Sequence, residues 1–138
     1  MKLEKAGRFL NAQNQVYLKA LAEVKAGKKV THWMWFIFPQ LKGLGQSDTS
    51  IYYAIEGLVE AADYLKHPVL GKNLVEISYA VLAVEGRTAN EIFGSPDDLK
   101  LCSSMTLFAQ VKDTDPVFNE VLVKYFAGLF DPLTLKLL

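Results

Sequence analysis

The sequence PVLGKNLVEISYAVLAVEG, residues 68–86, predicts a helix at the centre of the fold. Pro68 suits the first turn of a helix, where its missing N–H is not needed, and Gly86 suits the end. Apolar residues recur at helical spacing in one stripe of Leu70, Leu74, Ile77, Val81 and Val84, and in another of Val75, Tyr79 and Leu82. A helix that is apolar on two sides needs neighbours on both, so we expect it to lie centrally.

Helical patterns also precede and follow this segment. Residues 3–26 carry an apolar stripe that the polar stretch 11–15 could divide into two helices. Residues 51–65 predict one continuous helix, with a stripe of Ile51, Ala54, Ile55, Leu58, Ala61, Ala62 and Leu65. Downstream, Thr88 and Glu91 have the spacing of a capping box for a short helix that ends at Gly94.

Three further helices are predicted from proline-containing start signals, which are Ser95-Pro96, Asp115-Pro116 and Asp131-Pro132. In the first signal, Ser95 is the expected cap and Pro96 the expected first helical residue, because a missing N–H is harmless there. Asp97 and Asp98 follow as first-turn acids, which the positive end of the helix dipole favours.

The ring-rich segment Thr31-His32-Trp33-Met34-Trp35-Phe36-Ile37-Phe38-Pro39 fits either a strand or a short buried helix. Its rings and Ile37 favour a strand, whereas Thr31 could cap a helix. No other segment alternates with a period of two, so a strand here would lack a partner. We therefore predict a helix.

These elements predict an all-α fold, a single compact domain over residues 1–138 with about six to eight helices. Short connections favour antiparallel neighbours, which gives an irregular array of helical hairpins. A chain of 138 residues has the usual size of one domain.

Composition limits the partners and the location. Fifteen basic residues balance fifteen acidic ones, so no nucleic-acid partner is expected. The longest strongly apolar run, Trp33 to Phe38, is too short to span a membrane, and Met1 to Lys5 lack the apolar stretch of a secretory signal. Cys102 is the only cysteine, which excludes an intrachain disulfide and a thiolate zinc site. A cytoplasmic location is expected.

Several motifs resemble one known family. They are THWMWFIFPQ at residues 31–40 with Gly43-Leu44-Gly45, IFGSPDDLK at 92–100 with SSMTLF at 103–108, and the pairs Arg8-Phe9 and Ala12-Gln13. Together they resemble DUF1810, a family of unknown function, over nearly the whole chain. The resemblance implies a mainly helical fold and supplies no activity. Members are sometimes labelled calpastatin, but such inhibitors are largely disordered and polar, unlike this composition. Cys102 stands where a basic or polar residue is expected from the family.

The aromatic segment is the first candidate site. His32 could act as a general base or an anion contact, and Trp33 or Trp35 could stack on a planar ligand. Gln40 could supply a pocket amide. The alternative is that the rings fill the core, that His32 bonds to nearby backbone, and that Gln40 belongs to a simple turn.

The helix after Ser95 is the second candidate site. Lys100 lies one turn from Ser103 and Ser104, a spacing that would let a lysine activate a serine nucleophile. Ser103, Ser104 and Thr106 are also weak helix formers, and local departures of this kind often mark functional sites. In the alternative, Asp97 and Lys100 are a solvated helix pair.

Two other possibilities have less support. Residues 43–47 could hold an anion before a helix, but Asp48 would repel it and an ordinary turn is the better interpretation. His32 and His67 are the only histidines, and neither has a second ligand at a recognised spacing, so no metal site is expected.

Three functions stay open. The first is a ligand-binding domain whose pocket, between the 32–40 segment and the 97–106 helix, takes a nucleotide-like compound or another small metabolite. The second is a hydrolase or transferase acting on a nucleotide-derived substrate. The third is a protein-interaction module or homodimer. The candidate catalytic residues are His32, Lys100 and Ser104, the candidate ligand contacts are Trp33, Trp35, Gln40, Ser103 and Thr106, and the candidate interaction patch is Tyr52, Tyr53 and Tyr64. The sequence specifies no cofactor and no oligomeric state.

Overall fold

The protein is all-α, as predicted. A computed structural model describes residues 3–138, with side chains from Lys5 onward. Met1 and Lys2, which entered the expectation about the amino terminus, lie outside the described residues. Within 3–138 there are ten helices: α1 Leu3–Gln13, α2 Tyr17–Lys25, α3 Met34–Ile37, α4 Asp48–Tyr52, α5 Leu58–Lys66, α6 Leu70–Ala83, α7 Ala89–Phe93, α8 Asp97–Ala109, α9 Val117–Phe126 and α10 Pro132–Leu137.

Helix α6 is central, as its two apolar stripes predict. It packs against α2, α5 and α9. Leu70, Leu74, Ile77 and Val81 are buried, and Val75 and Leu82 are half-buried against the same core. Gly71 allows α6 to meet the end of α5 closely, because a Cβ there would lie 2.0 Å from the Leu65 carbonyl oxygen.

The predicted continuous helix over residues 51–65 is wrong. The chain is not helical between α4 and α5, and Leu41 and Ile55 form an isolated parallel bridge there. The Ile55 N–H donates to the Gln40 carbonyl at 2.9 Å, and the Lys42 N–H donates to the Ile55 carbonyl at 2.8 Å. Ile55 is therefore buried by backbone pairing with residues 40–42 rather than by a helix face, and the helix count exceeds the predicted range.

The same break changes the candidate interaction patch. Tyr64 was expected on the outward side, but it is fully buried in α5. Tyr52 in α4 is 54% exposed, and Tyr53 is half-buried where that helix ends. The three tyrosines therefore do not share one exposed face.

The other predicted helices are present, but several boundaries differ. Trp33 rather than Thr31 occupies the cap position of α3, and Pro68 lies two residues before α6 begins at Leu70. The polar stretch after α1 does separate it from α2, the aromatic segment does contain a helix (α3), and Thr88 and Glu91 do form a capping box. Asp131 caps α10 by accepting from the Thr134 N–H at 3.3 Å. Ser95 is not the cap of α8, however, because Pro96 occupies the cap position and the Ser95–Pro96 peptide is cis.

None of the helices within residues 3–138 has the length and apolar character needed to cross a lipid bilayer.

Candidate functional site

A buried carboxylate in α2 fixes the chain that leads into α3. Glu23 accepts hydrogen bonds from the Val30 N–H (2.7 Å), the Thr31 N–H (3.0 Å), the Thr31 hydroxyl (2.6 Å) and the Trp33 indole N–H (3.0 Å). Burial alone raises the pKa of this carboxyl, but these hydrogen bonds outweigh it and hold the pKa at about 2. Glu23 is therefore ionised, and it sets where the aromatic segment begins.

A buried carboxamide in α1 fixes the other end of α3. The Gln13 amide donates to the Phe36 carbonyl at 2.7 Å and to the Tyr64 hydroxyl at 3.1 Å. Because α3 has only four residues, its own hydrogen bonds hold it weakly. The contacts from Glu23 and Gln13 orient it so that Trp33 is fully buried while Trp35 and Phe36 stay half-exposed.

Those two half-exposed rings form part of an open pocket of about 480 Å³. Its other walls come from α4 and the residue after it. We call it the aromatic pocket, and its lining consists of Trp35, Phe36, Asp48, Thr49, Tyr52 and Tyr53. Tyr53 packs on the Phe36 ring with centroids 5.3 Å apart and meets Tyr52 edge-on at 4.8 Å. Four aromatic side chains thus line one solvent-open hollow.

Close packing of the loop before α4 positions the second wall. A Cβ on Gly45 would lie 2.4 Å from the Ser50 Cβ, so only glycine permits the loop to lie against α4. Ser47 caps the helix, accepting from the Ser50 N–H at 3.1 Å. Residues 43–47, for which an ordinary turn is the better interpretation from the sequence, are thus packed against α4, which carries Tyr52.

Two cations contact rings of the aromatic pocket, although neither Lys100 nor Arg8 is among the residues that line it. The Lys100 ammonium is 5.2 Å from the Trp35 centroid, and the Arg8 guanidinium is 5.4 Å from the Tyr52 centroid. Both distances are within the range of cation–π attraction. Arg8 also donates to the Ala54 carbonyl at 3.4 Å, while its buried Nε has no hydrogen-bond partner among the described residues.

Lys100 belongs to a small charge cluster on α8. Asp97 lies 3.6 Å from the Lys100 ammonium and 2.9 Å from the ammonium of Lys29, which itself lies over the Trp33 ring at 4.9 Å. One carboxylate therefore faces two ammonium groups, and the cluster is left with a net positive charge next to Trp35.

The remaining candidates on α8 do not face the aromatic segment. The Ser103 hydroxyl donates to the Asp131 carboxylate at 2.8 Å, and the Thr106 hydroxyl accepts from the Asp131 N–H at 2.9 Å. Asp131 also accepts from the Thr134 hydroxyl at 2.5 Å. These polar residues inside a helix anchor the carboxyl-terminal segment, which gives their low helix propensity a structural reason.

Ser104 is sealed inside the protein. It has no solvent exposure, and its hydroxyl has no hydrogen-bond partner among the described residues. The Lys100 ammonium points to Trp35 and Asp97 instead. The serine-nucleophile assignment stays a hypothesis that these contacts do not favour.

The candidates within the 32–40 segment are dispersed. His32 is exposed, Trp33 is in the core, and the Gln40 carbonyl takes part in the backbone pairing with Ile55. Of the residues proposed from the sequence, Trp35 and Lys100 are the pair that the fold brings together. The aromatic pocket itself is lined by α3, α4 and Tyr53 rather than by the 97–106 helix, which differs from the expected position. No group of three or more metal-ligating side chains occurs in the described part of the chain.

Sequence reasoning did not assign Phe36, Tyr52, Tyr53 or Arg8 to this region, although it did name Tyr52 and Tyr53 as part of a candidate interaction patch. Phe36 was assigned to the core with its neighbours, and the continuous helix predicted over 51–65 placed the tyrosines on an outward face. Arg8 was visible only as part of a motif resembling the family. Spacing alone could not reveal that α1, α3 and α4 meet.

Comparisons with known proteins identify a family and give no activity. A family model described as "Protein of unknown function (DUF1810)" matches residues 4–138. The structure resembles the crystal structure of Rv1873, a conserved hypothetical protein from Mycobacterium tuberculosis, with a TM-score of 0.94 and 51% sequence identity. That similarity covers 96% of this chain and 94% of the other. No curated protein matches the chain.

Proposed function

The chain belongs to the DUF1810 family, and we propose that it is a binding domain for a small planar anion, with nucleotide-like compounds as the leading class. The ligand ring stacks in the aromatic pocket, and its anionic group lies toward Lys100. The observation that carries the proposal is the coincidence of four aromatic side chains in one open pocket with a cation over two of them, Trp35 and Tyr52.

The solvent exposure of the pocket's aromatic rings supports a ligand site over a purely structural role for them. Large rings gain most when they are buried, yet Tyr52 is 54% exposed and Trp35 is half-exposed although the core is close by. Ligand sites combine such apolar walls with a few polar groups. A planar ring is a suitable occupant, because stacking of a base on an aromatic side chain contributes about 1–3 kcal/mol.

Charge supports an anionic group on that ring. Asp97 faces both Lys29 and Lys100, so their cluster carries one excess positive charge beside Trp35. Arg8 adds a second positive charge behind Tyr52, and Asp48 on the pocket wall offsets one of the two. A phosphate placed near Lys100 and away from Asp48 would be attracted, whereas a cationic group of a ligand at the same place would be repelled.

Intrinsic fluorescence offers a direct binding assay. Trp33 is fully buried and Trp35 is half-exposed, so a ring stacked in the aromatic pocket should quench mainly Trp35. The probes are the four 5′-mononucleotides AMP, GMP, CMP and UMP, their nucleosides, and ribose 5-phosphate. We expect at least one mononucleotide to bind with a Kd of about 1 mM or tighter, with its nucleoside weaker and ribose 5-phosphate weaker still.

Matched variants separate binding in the aromatic pocket from nonspecific binding elsewhere on the surface. Tyr52→Ala should weaken the best mononucleotide by about tenfold, while Tyr79→Ala, at another exposed tyrosine, should not change it. Lys100→Met should weaken the mononucleotide more than its nucleoside, with the exposed Lys112→Met as control. The proposal fails if none of the probes binds at millimolar concentration, or if each control loses as much affinity as its pair.

A further inference from the structure

A second pocket lies where α1 ends and α2 begins, against the start of α6. It has a volume of about 510 Å³, and we call it the amide pocket. Its lining consists of Leu10, Asn11, Gln13, Asn14, Gln15, Tyr17, Leu18, Val69 and Asn73. Five of these nine side chains are carboxamides, which is half of the ten Asn and Gln residues in the chain.

The amide pocket is lined by neutral side chains. None of its lining residues is a lysine, arginine, aspartate or glutamate. By contrast, the aromatic pocket includes Asp48, and two further pockets each include several charged side chains. Burial, with the hydrogen bond to Glu76, raises the pKa of the Tyr17 hydroxyl, so that group is also uncharged. A ligand would meet hydrogen-bonding groups there without a net charge to balance.

Hydrogen bonds hold Gln13, Tyr17 and Asn73 of the amide pocket in fixed orientations, whereas Asn11, Asn14 and Gln15 are exposed. The Asn73 amide donates to the Gln13 carboxamide oxygen at 3.1 Å, and the Gln13 amide is held in turn by Tyr64 and the Phe36 carbonyl. The Tyr17 hydroxyl donates to Glu76 at 2.5 Å and contacts the Asn73 carbonyl at 3.1 Å. Because these groups are already ordered, a ligand would not have to order them on binding.

Apolar side chains at the pocket add a contact surface. Leu18 is 78% exposed and Val69 is 46% exposed, and both line the pocket. An ordinary solvated helix break would require neither the ordered carboxamides of Gln13 and Asn73 nor two exposed branched side chains beside them. Ordered polar groups next to apolar surface in a cavity of this size are typical of a small-molecule site.

We propose that the amide pocket is a second ligand site, for a compact uncharged molecule that carries adjacent hydrogen-bond donors and acceptors, such as a cyclic amide or imide. A carboxamide both donates and accepts, so it matches the alternating N–H and C=O groups of such a ring. Gln13 already uses both of its amide N–H groups inside the protein, so the exposed carboxamides of Asn11, Asn14 and Gln15 would make these contacts together with Asn73. Leu18 and Val69 would cover the faces of the ring. This site is separate from the aromatic pocket and does not depend on the function proposed for it.

Two closely related compounds test the chemical class. Uracil is a neutral cyclic imide, and orotate is the same ring with a carboxylate. In ¹H–¹⁵N spectra of the labelled protein, we expect uracil at millimolar concentration to shift the side-chain amide signals of Asn14, Gln15 and Asn73. Orotate should bind at least about tenfold more weakly, because its carboxylate would lose hydration in the pocket and no lining cation would pair with it. Dihydrouracil should behave like uracil, because recognition uses the imide edge.

Variants separate this site from the aromatic pocket. Asn14→Leu should weaken uracil binding about tenfold by removing one carboxamide, and Asn73→Leu should do the same if it folds. Asn119→Leu, at an exposed asparagine on α9, and Tyr52→Ala, in the aromatic pocket, should leave it unchanged. The proposal is overturned if the lining signals move for none of the neutral rings, if orotate binds as tightly as uracil, or if the Asn119→Leu control loses the same affinity.

Discussion

Replacing Glu23 by glutamine tests how the aromatic segment is held, because the substitution keeps the shape of the side chain and removes its charge. In the native protein this carboxylate accepts four hydrogen bonds from residues 30–33, and its pKa is about 2 rather than the ordinary 4.5. A hydrogen bond to a charged acceptor contributes more than one to a neutral amide. We therefore expect Glu23→Gln to lower the free energy of unfolding.

The pKa of the Glu23 carboxyl gives the magnitude of its contribution to the free energy of unfolding. One pKa unit corresponds to about 1.4 kcal/mol, so a carboxyl with a pKa of about 2 in the folded protein contributes about 3 kcal/mol at neutral pH. Because the folded pKa lies below the ordinary value, this contribution is fully present above about pH 4.5. It is lost progressively as the pH falls from about 4.5 to about 2.

Urea unfolding followed by circular dichroism measures both effects. At pH 7, Glu23→Gln should cost up to about 3 kcal/mol, and the loss of stability between pH 4.5 and pH 2 should be correspondingly smaller in the variant. Glu85→Gln is the control, because the Glu85 side chain is 88% exposed and its contact with Lys124 should contribute less than about 1 kcal/mol. The reasoning is refuted if Glu23→Gln costs no more than the control, or if it leaves the acid dependence unchanged.

Three further predictions concern single side chains. Trp33→Ala should cost about 3–5 kcal/mol of stability because Trp33 is fully buried. Trp35→Ala should cost far less and should abolish fluorescence quenching by mononucleotides. Thermal melts compare the stabilities of the two variants, and titrations compare their quenching. Ser104→Ala should leave ligand binding intact and should raise the melting temperature or leave it unchanged. The reason is that it removes a buried hydroxyl without a hydrogen-bond partner among the described residues. A loss of turnover or binding at constant stability would instead support a catalytic role for Ser104. Gly71→Ala should cost more than about 3 kcal/mol or prevent folding, since its Cβ would meet the Leu65 carbonyl oxygen; a variant with native-like denaturant unfolding would contradict that contact.

The fold was predictable where local signals are strong. The stripes of α6, the capping box at Thr88 and the cap at Asp131 are short-range patterns, and the structure agrees with them. The predicted helix over residues 51–65 failed because Ile55 pairs with residues 40–42, a contact between segments that periodicity does not detect. The non-helical chain between α4 and α5 also has buried apolar residues, and their spacing resembles that of one face of a helix.

The candidate site was predictable only in part. The sequence identified Trp35 and Lys100 separately, and their contact follows from the way α3 and α8 pack. Ser103 and Thr106 were unusual for a helix interior, but the reason is the anchoring of residues 131–134, which lie 25 or more positions later. Tyr52 and Arg8 lie in α4 and α1, and no spacing rule links two helices so far apart in the chain.

The most direct measurement is a crystal structure of the protein soaked with the mononucleotide that quenches Trp35 most strongly. We expect electron density for its base against Trp35 and Tyr52, with the phosphate on the Lys100 side. Density for the base elsewhere on the protein, or an empty aromatic pocket at a concentration that saturates the fluorescence change, would contradict the proposed function.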